Sequence, residues 1–67
     1  MQVKKAEVRV AILDSAFALF SEQGYARTTQ AQIANRAGVA ASSLYVYFDS
    51  KLDILFAVYR PWLMTRF

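Results

Sequence analysis

Ser42, Ser43, Tyr45, Tyr47 and Lys51 fall within ten consecutive positions of a 67-residue chain that has neither histidine nor cysteine. Two aliphatic hydroxyls, two phenols and one ammonium are all hydrogen-bond donors, and with no histidine or cysteine beside them they form no recognisable nucleophile–base constellation. The chemistry open to them is recognition of an acceptor-rich anion such as a phosphate, not the making or breaking of bonds. The acids Glu7, Asp14, Glu22, Asp49 and Asp53 are spread singly and offer no carboxylate pair or metal set. No enzyme activity, cofactor or metal is therefore expected.

These donors sit at the end of an uncharged run of twelve residues, Ala37 to Phe48. If the run forms a helix with Leu44 and Phe48 toward a core, as their spacing of four suggests, then Ser42, Ser43 and Val46 face away from it. Tyr45 and Tyr47 then lie roughly 80° to either side, one phenol at each edge of the outward face. A single tyrosine there reads as half-buried core with its hydroxyl in water. A pair bracketing small residues instead suits a helix lying in a DNA major groove, with hydroxyls at the rims for phosphates. Lys51 falls in the first turn of a following helix, where a cation is unfavourable by a few tenths of a kcal/mol and an anion is welcome. That placement favours an external anion over an intramolecular role.

Four helical segments position these groups, and no strand pattern is present. The first runs from about Lys4 to Gln23, with Ile12, Leu13, Ala16, Leu19 and Phe20 in one core-facing stripe. Gly24 follows as its cap, with Tyr25 placed to close the cap by an apolar contact. Thr29-Gln30-Ala31-Gln32 is a capping box that opens the second helix, which ends at Gly38. The third helix spans Ala41 to Phe48. Ser50-Lys51-Leu52-Asp53 repeats the capping pattern and opens a fourth, expected to be interrupted near Pro61. Between the second and third helices the connection is about three residues long. So short a link needs a small residue at the close approach (Ala34), a left-handed residue (Gly38) and apolar ties (Ile33, Val39, Leu44). That is the layout of a helix-turn-helix.

Size and composition set the remaining bounds. The chain holds one small domain, 57% apolar and 15% aromatic, without disulfides to support it. Its net charge of +3 is compatible with a nucleic-acid partner without establishing one. The longest uncharged run is too short to span a bilayer, for which about 18–20 residues are needed. The N-terminus lacks a signal-peptide pattern, so a cytoplasmic location is expected. Ile54, Leu55, Phe56, Val58, Tyr59, Trp62, Leu63, Met64 and Phe67 cover nearly the whole circumference of the fourth helix. Such a helix needs cover on a second side, so the parent chain is expected to continue beyond Phe67. Val10 and Phe17 could meet the same missing part.

Residues 9–55 resemble the DNA-binding domain of the TetR family of bacterial transcriptional regulators. The matching residues are Arg9, Ile12-Leu13, Ala16, Leu19-Phe20, Gly24-Tyr25, Thr28-Thr29, Ile33-Ala34, Ala37-Gly38-Val39, Leu44-Tyr45, Tyr47-Phe48, Lys51 and Leu55. The resemblance implies an all-α fold, a three-helix helix-turn-helix domain (residues 1–50) plus a fourth linking helix (residues 51–67). That helix would lead toward a C-terminal domain, outside this chain, that dimerises and binds a small-molecule inducer. It implies phosphate contacts from Thr29, Tyr45, Tyr47 and Lys51, a base contact from Gln30, and base or backbone contacts from Ala41, Ser42 and Ser43. It also implies a homodimer on a palindromic operator, usually acting as a repressor.

The chain departs from the family pattern in three places. Ala40 stands where a serine usually caps the third helix, giving up about 1 kcal/mol. Ser42 replaces a common glycine and Ser43 takes the threonine or serine position, which alters the backbone approach. The outward face of the third helix has no Arg, Lys, Asn or Gln for bidentate base contacts. Base readout is therefore expected to rest on Gln30, the two serine hydroxyls and methyl contacts, with DNA shape supplying more. The alternative from another class is a small helical protein-interaction module that docks its apolar fourth helix in a partner's groove.

Overall fold

The computed structural model describes residues 5–64 and shows four helices with no strand among them. They are α1 (Lys5–Gln23), α2 (Gln30–Ala37), α3 (Ala41–Tyr47) and α4 (Lys51–Met64). Helix α1 packs against both α2 and α4, and α3 is held against α2 across the short turn. The expected start of α1 at Lys4 lies outside the described residues.

One core serves all four helices. Ile12, Ala16, Leu19 and Phe20 of α1 meet Ile33 and Ala34 of α2, Leu44 of α3, the adjoining Phe48, and Ile54 of α4. Ile12, Ile33, Leu44 and Ile54 are fully buried, so each helix contributes one large aliphatic side chain to the centre. Burying such a side chain is worth about 1.5–3 kcal/mol, which is why no helix can leave the bundle cheaply. Leu13, at the margin of the expected stripe, is only partly buried. At the periphery the Arg9 guanidinium lies 5.4 Å over the Phe48 ring, tying the start of α1 to the end of α3.

The caps follow the sequence closely. Gly24 takes φ 90° and donates its N–H to Phe20 O, while the Phe20 and Tyr25 rings lie 5.4 Å apart across the cap. At α2 the capping box is complete: Gln32 N–H donates to Thr29 Oγ1 at 3.1 Å, and Thr29 N–H donates to Gln32 Oε1 at 3.0 Å. Gly38 closes α2 at φ 78°. Helix α3 begins at Ala40 without a side-chain cap and is only seven residues long, ending one residue before the expected Phe48. At α4 half of the second capping box forms, Asp53 N–H donating to Ser50 Oγ at 3.3 Å.

One expectation is corrected. Helix α4 is not interrupted at Pro61 but runs through it to Met64. Proline removes a single N–H from the ladder, and the residues on either side keep their own bonds, so a helix can continue where packing fixes its direction. The apolar side chains expected at Trp62, Leu63, Met64 and Phe67 lie outside the described residues. Leu52 and Phe56 of α4 and Val10 and Phe17 of α1 are about half exposed, and Phe17 meets Tyr59 edge-on with ring centroids 6.2 Å apart.

The turn is the natural place to test the fold. A Cβ added at Gly38 would meet nothing within 4 Å, so the cost of a side chain there is backbone strain alone. Gly38→Ala should destabilise the chain by about 1–2 kcal/mol, lowering Tm by several degrees in thermal unfolding followed by circular dichroism.

Candidate nucleic-acid interface

The outward face of α3 begins with the turn that aims it. Gly38 N–H reaches Asn35 O at 3.2 Å and Val39 N–H reaches Ala34 O at 3.0 Å, so the last carbonyls of α2 are satisfied within the turn. With Leu44 buried, Ala41, Ser42, Tyr45 and Val46 stand exposed, Val46 at 78% and Tyr45 at 51%. Ser43 and Tyr47 are half-buried, and Tyr47 packs its ring against the core cluster. The two tyrosines are thus unequal: Tyr45 stands out from the bundle, while Tyr47 lies along its flank.

A cleft of about 390 Å³ opens beside this face, lined by Ala26, Thr28, Thr29, Gln30, Asp49, Ser50 and Lys51. Three elements meet there: the connection after α1, the first turn of α2 and the start of α4. The structure brings Thr29, Gln30 and Lys51 together around it. Tyr45 joins them through a hydrogen bond, its hydroxyl donating to Gln30 Oε1 at 2.6 Å across fifteen positions of sequence. Ala41, Ser42, Ser43 and Tyr47 remain on α3, away from the cleft lining.

Lys51 has an intramolecular role that its sequence position did not suggest. Its Nζ donates to Tyr25 O at 2.9 Å and Thr28 O at 3.0 Å, and lies 4.2 Å from the Tyr25 ring centroid. Two carbonyls and a π face offset the unfavourable placement of a cation at a helix start. An ammonium has three N–H groups, so one remains for an anion in the cleft.

At the cleft and along the α1–α2 contact lie residues that sequence reasoning gave no role. Gln23 Nε2 contacts Gln32 Oε1 at 2.8 Å, Arg27 O at 3.2 Å and Thr28 Oγ1 at 3.4 Å, bracing the end of α1 against the capping box. Thr28 is fully buried, and its hydroxyl donates to Gly24 O at 2.8 Å. Arg36 and Glu22 form an exposed ion pair at 3.1 Å between α2 and α1. The one available signal was the tandem Thr28-Thr29, of which only the second residue could be the cap. Asp49, also on the cleft, is exposed and places a negative charge on an otherwise donor-rich rim.

Comparison with known proteins fits this geometry. Residues 12–58 match the family described as bacterial regulatory proteins, tetR family. The chain is 48% identical over 59 residues to the HTH-type transcriptional regulator HbdR of Aromatoleum sp. (strain CIB), covering 88% of this chain and 26% of that protein. It is 41% identical over 63 residues to the HTH-type transcriptional repressor KstR2 of Rhodococcus jostii (strain RHA1), covering 94% and 31%. To the fatty acid metabolism regulator protein of Bacillus subtilis (strain 168) it is 39% identical over 49 residues, covering 73% and 25%. The chain therefore spans about a quarter to a third of the length of these relatives. No solved structure matches it significantly. The helix-turn-helix, the family match over most of the chain and these identities lead to one assignment: the chain belongs to the TetR family of bacterial transcriptional regulators and carries its non-enzymatic DNA-binding domain.

Proposed function

We propose that this chain is the operator-reading part of a dimeric repressor, with α3 seated in the major groove. The observation that carries this reading is the exposed face of α3 beside a donor-lined cleft formed by the starts of α2 and α4. Ala41, Ser42 and Ser43 approach base edges or the backbone, and Gln30 reaches a base from the start of α2. Thr29, Tyr45, Tyr47 and Lys51 are the candidate phosphate contacts. One small domain of this size presents one recognition helix, so a palindromic operator read by a homodimer supplies the second half-site. Repression is supported by two relatives, the transcriptional repressor KstR2 and the negative transcriptional regulator IcaR of Staphylococcus aureus. The relatives' greater length leaves room for a domain that dimerises and binds a small-molecule inducer, with α4 leading toward it. No helix among the described residues is long and apolar enough to cross a membrane, which agrees with a regulator that meets DNA in the cytoplasm.

Salt dependence separates this reading from docking through the half-exposed Leu52 and Phe56 of α4. Titration of a duplex by this chain should weaken steeply with rising salt, because phosphate contacts release counterions. Association driven by an apolar surface would not, and a salt-independent isotherm would favour the docking module.

Three substitutions refine the assignment. Lys51→Met should lower the salt slope by about 1. It should also lower Tm by roughly 5–10 °C, because it cuts two charge-assisted bonds to the α1–α2 connection. Asp49→Asn should raise affinity for all duplexes alike, by about twofold at low salt, since it removes a like charge from the phosphate side. Tyr47→Phe should reduce affinity with little change in Tm, as its ring packing is kept. An equal loss of stability would assign its hydroxyl to the fold instead.

A further inference from the structure

Val46 is the most exposed large apolar side chain among the described residues, at 78%. It belongs neither to the core nor to the apolar residues packed against it. A β-branched side chain also lowers the propensity of its helix, and α3 has only seven residues and no side-chain cap. Little burial offsets that cost. The direction of Val46 follows from that of Leu44. A helix turns about 100° per residue, so Val46 stands about 200° round from the fully buried Leu44. Ser42, two positions before Leu44, stands as far round in the other sense. Ser42 and Val46 are thus one turn apart on the ridge opposite the core, and both are exposed. When α3 enters a groove this ridge goes deepest, with Tyr45 and Tyr47 to its sides. No residue of α3 carries a charge, so the ridge reads with one hydroxyl and one isopropyl group.

We infer that Val46 is a specificity-determining residue that recognises the C5-methyl group of a thymine. This rests on the DNA-binding reading of α3 and names a base that its exposed face takes. The floor of the major groove is made of hydrogen-bonding edges, and the thymine methyl is the one apolar group it presents. An isopropyl group set against that methyl removes apolar surface from water on both sides of the contact. Against adenine, guanine or cytosine the same isopropyl group would cover donors and acceptors, displacing their water and supplying no hydrogen bond. Discrimination therefore has two sources, a gain at thymine and a loss elsewhere. The stiffness of valine at χ1 helps, because few rotamers are given up when its methyls are held in the groove. Val46 has no polar atom in its side chain, so it recognises the methyl and not the rest of the base. It does not separate thymine from 5-methylcytosine, and it gains nothing from uracil, which lacks the methyl.

The test deletes methyl groups from the DNA. A duplex is selected by this chain from a randomised library, and each thymine in it is replaced in turn by deoxyuridine. Affinity is then measured at one low salt concentration for the chain and for Val46→Ala. Because Val46 is exposed, Val46→Ala should not lower Tm, which circular dichroism checks. One of the deoxyuridine replacements should weaken the unaltered chain by about fourfold, the effect of one methyl no longer buried, and Val46→Ala by less than about twofold. At the same position 5-methylcytosine should bind about fourfold more tightly than cytosine, again in the unaltered chain alone. A selected duplex in which no thymine methyl matters to the unaltered chain would overturn the inference while leaving DNA binding intact. So would equal methyl sensitivity in Val46→Ala, an outcome that assigns the methyl to another side chain such as Ala41. A folded chain that captures no duplex at low salt would remove the DNA-binding reading itself, and this inference with it.

Discussion

Three residues join α2 to α3, and the geometry of that link constrains everything else in the molecule. Gly38 is left-handed, its N–H and that of Val39 turn back onto the carbonyls of Asn35 and Ala34, and the chain leaves α2 in one fixed direction. Val39 is partly buried against the core, so the direction is held by packing as well as by hydrogen bonds. A residue with a Cβ at Gly38 would have to be forced into this conformation, and a longer link would leave the angle between the helices undetermined. From this one angle follow the burial of Leu44, the exposure of Val46, and the meeting of Tyr45 with Gln30. The seven-residue α3 has no side-chain cap and cannot stand by itself, since isolated helices below about 12–15 residues are marginal in water. It exists because the turn delivers Leu44 to the core.

What the sequence made legible was local. The capping box at Thr29 and Gln32, the left-handed glycines and the missing cap at Ala40 each depend on residues at most a few positions apart, and each is found in the structure. The aliphatic core was legible for a related reason: helical spacing of four sorts Leu44 and Phe48 from Ser42 without knowledge of what they meet. Contacts between distant parts were not legible. Lys51 reaches carbonyls more than twenty positions back, and a lysine that binds main-chain oxygens leaves no mark on the side chains opposite it. Gln23 resembled an ordinary surface residue at a helix end, although it braces the capping box nine positions on. The pairing of Tyr45 with Gln30 spans fifteen positions and depends on the interhelical angle. The wheel placed Tyr45 and Tyr47 symmetrically, while the bundle is asymmetric, with core on the Tyr47 side. Pro61 shows the opposite error, a local rule overridden by the continuity of α4.

The donors around the cleft and on α3 differ in freedom. Ser42 is open to water, whereas Tyr45 and Lys51 already donate to protein acceptors, Tyr45 to Gln30 Oε1 and Lys51 to two main-chain carbonyls. Groups that begin with partners lose less entropy when they bind, but each can give only the valence it has left.

The anchoring of Lys51 ties two kinematic parts into one. Its ammonium belongs to the first turn of α4, while the oxygens it holds belong to the segment that leads directly into Thr29 and Gln30. At 2.9 and 3.0 Å these bonds tolerate about half an ångström of extension before they cease to be hydrogen bonds. A swing of α4 beyond that play must either drag the segment along or let it go. In the first case the start of α2 is displaced; in the second it loses its tether and gains freedom. Either way α4 cannot be levered without the start of α2 registering the stroke.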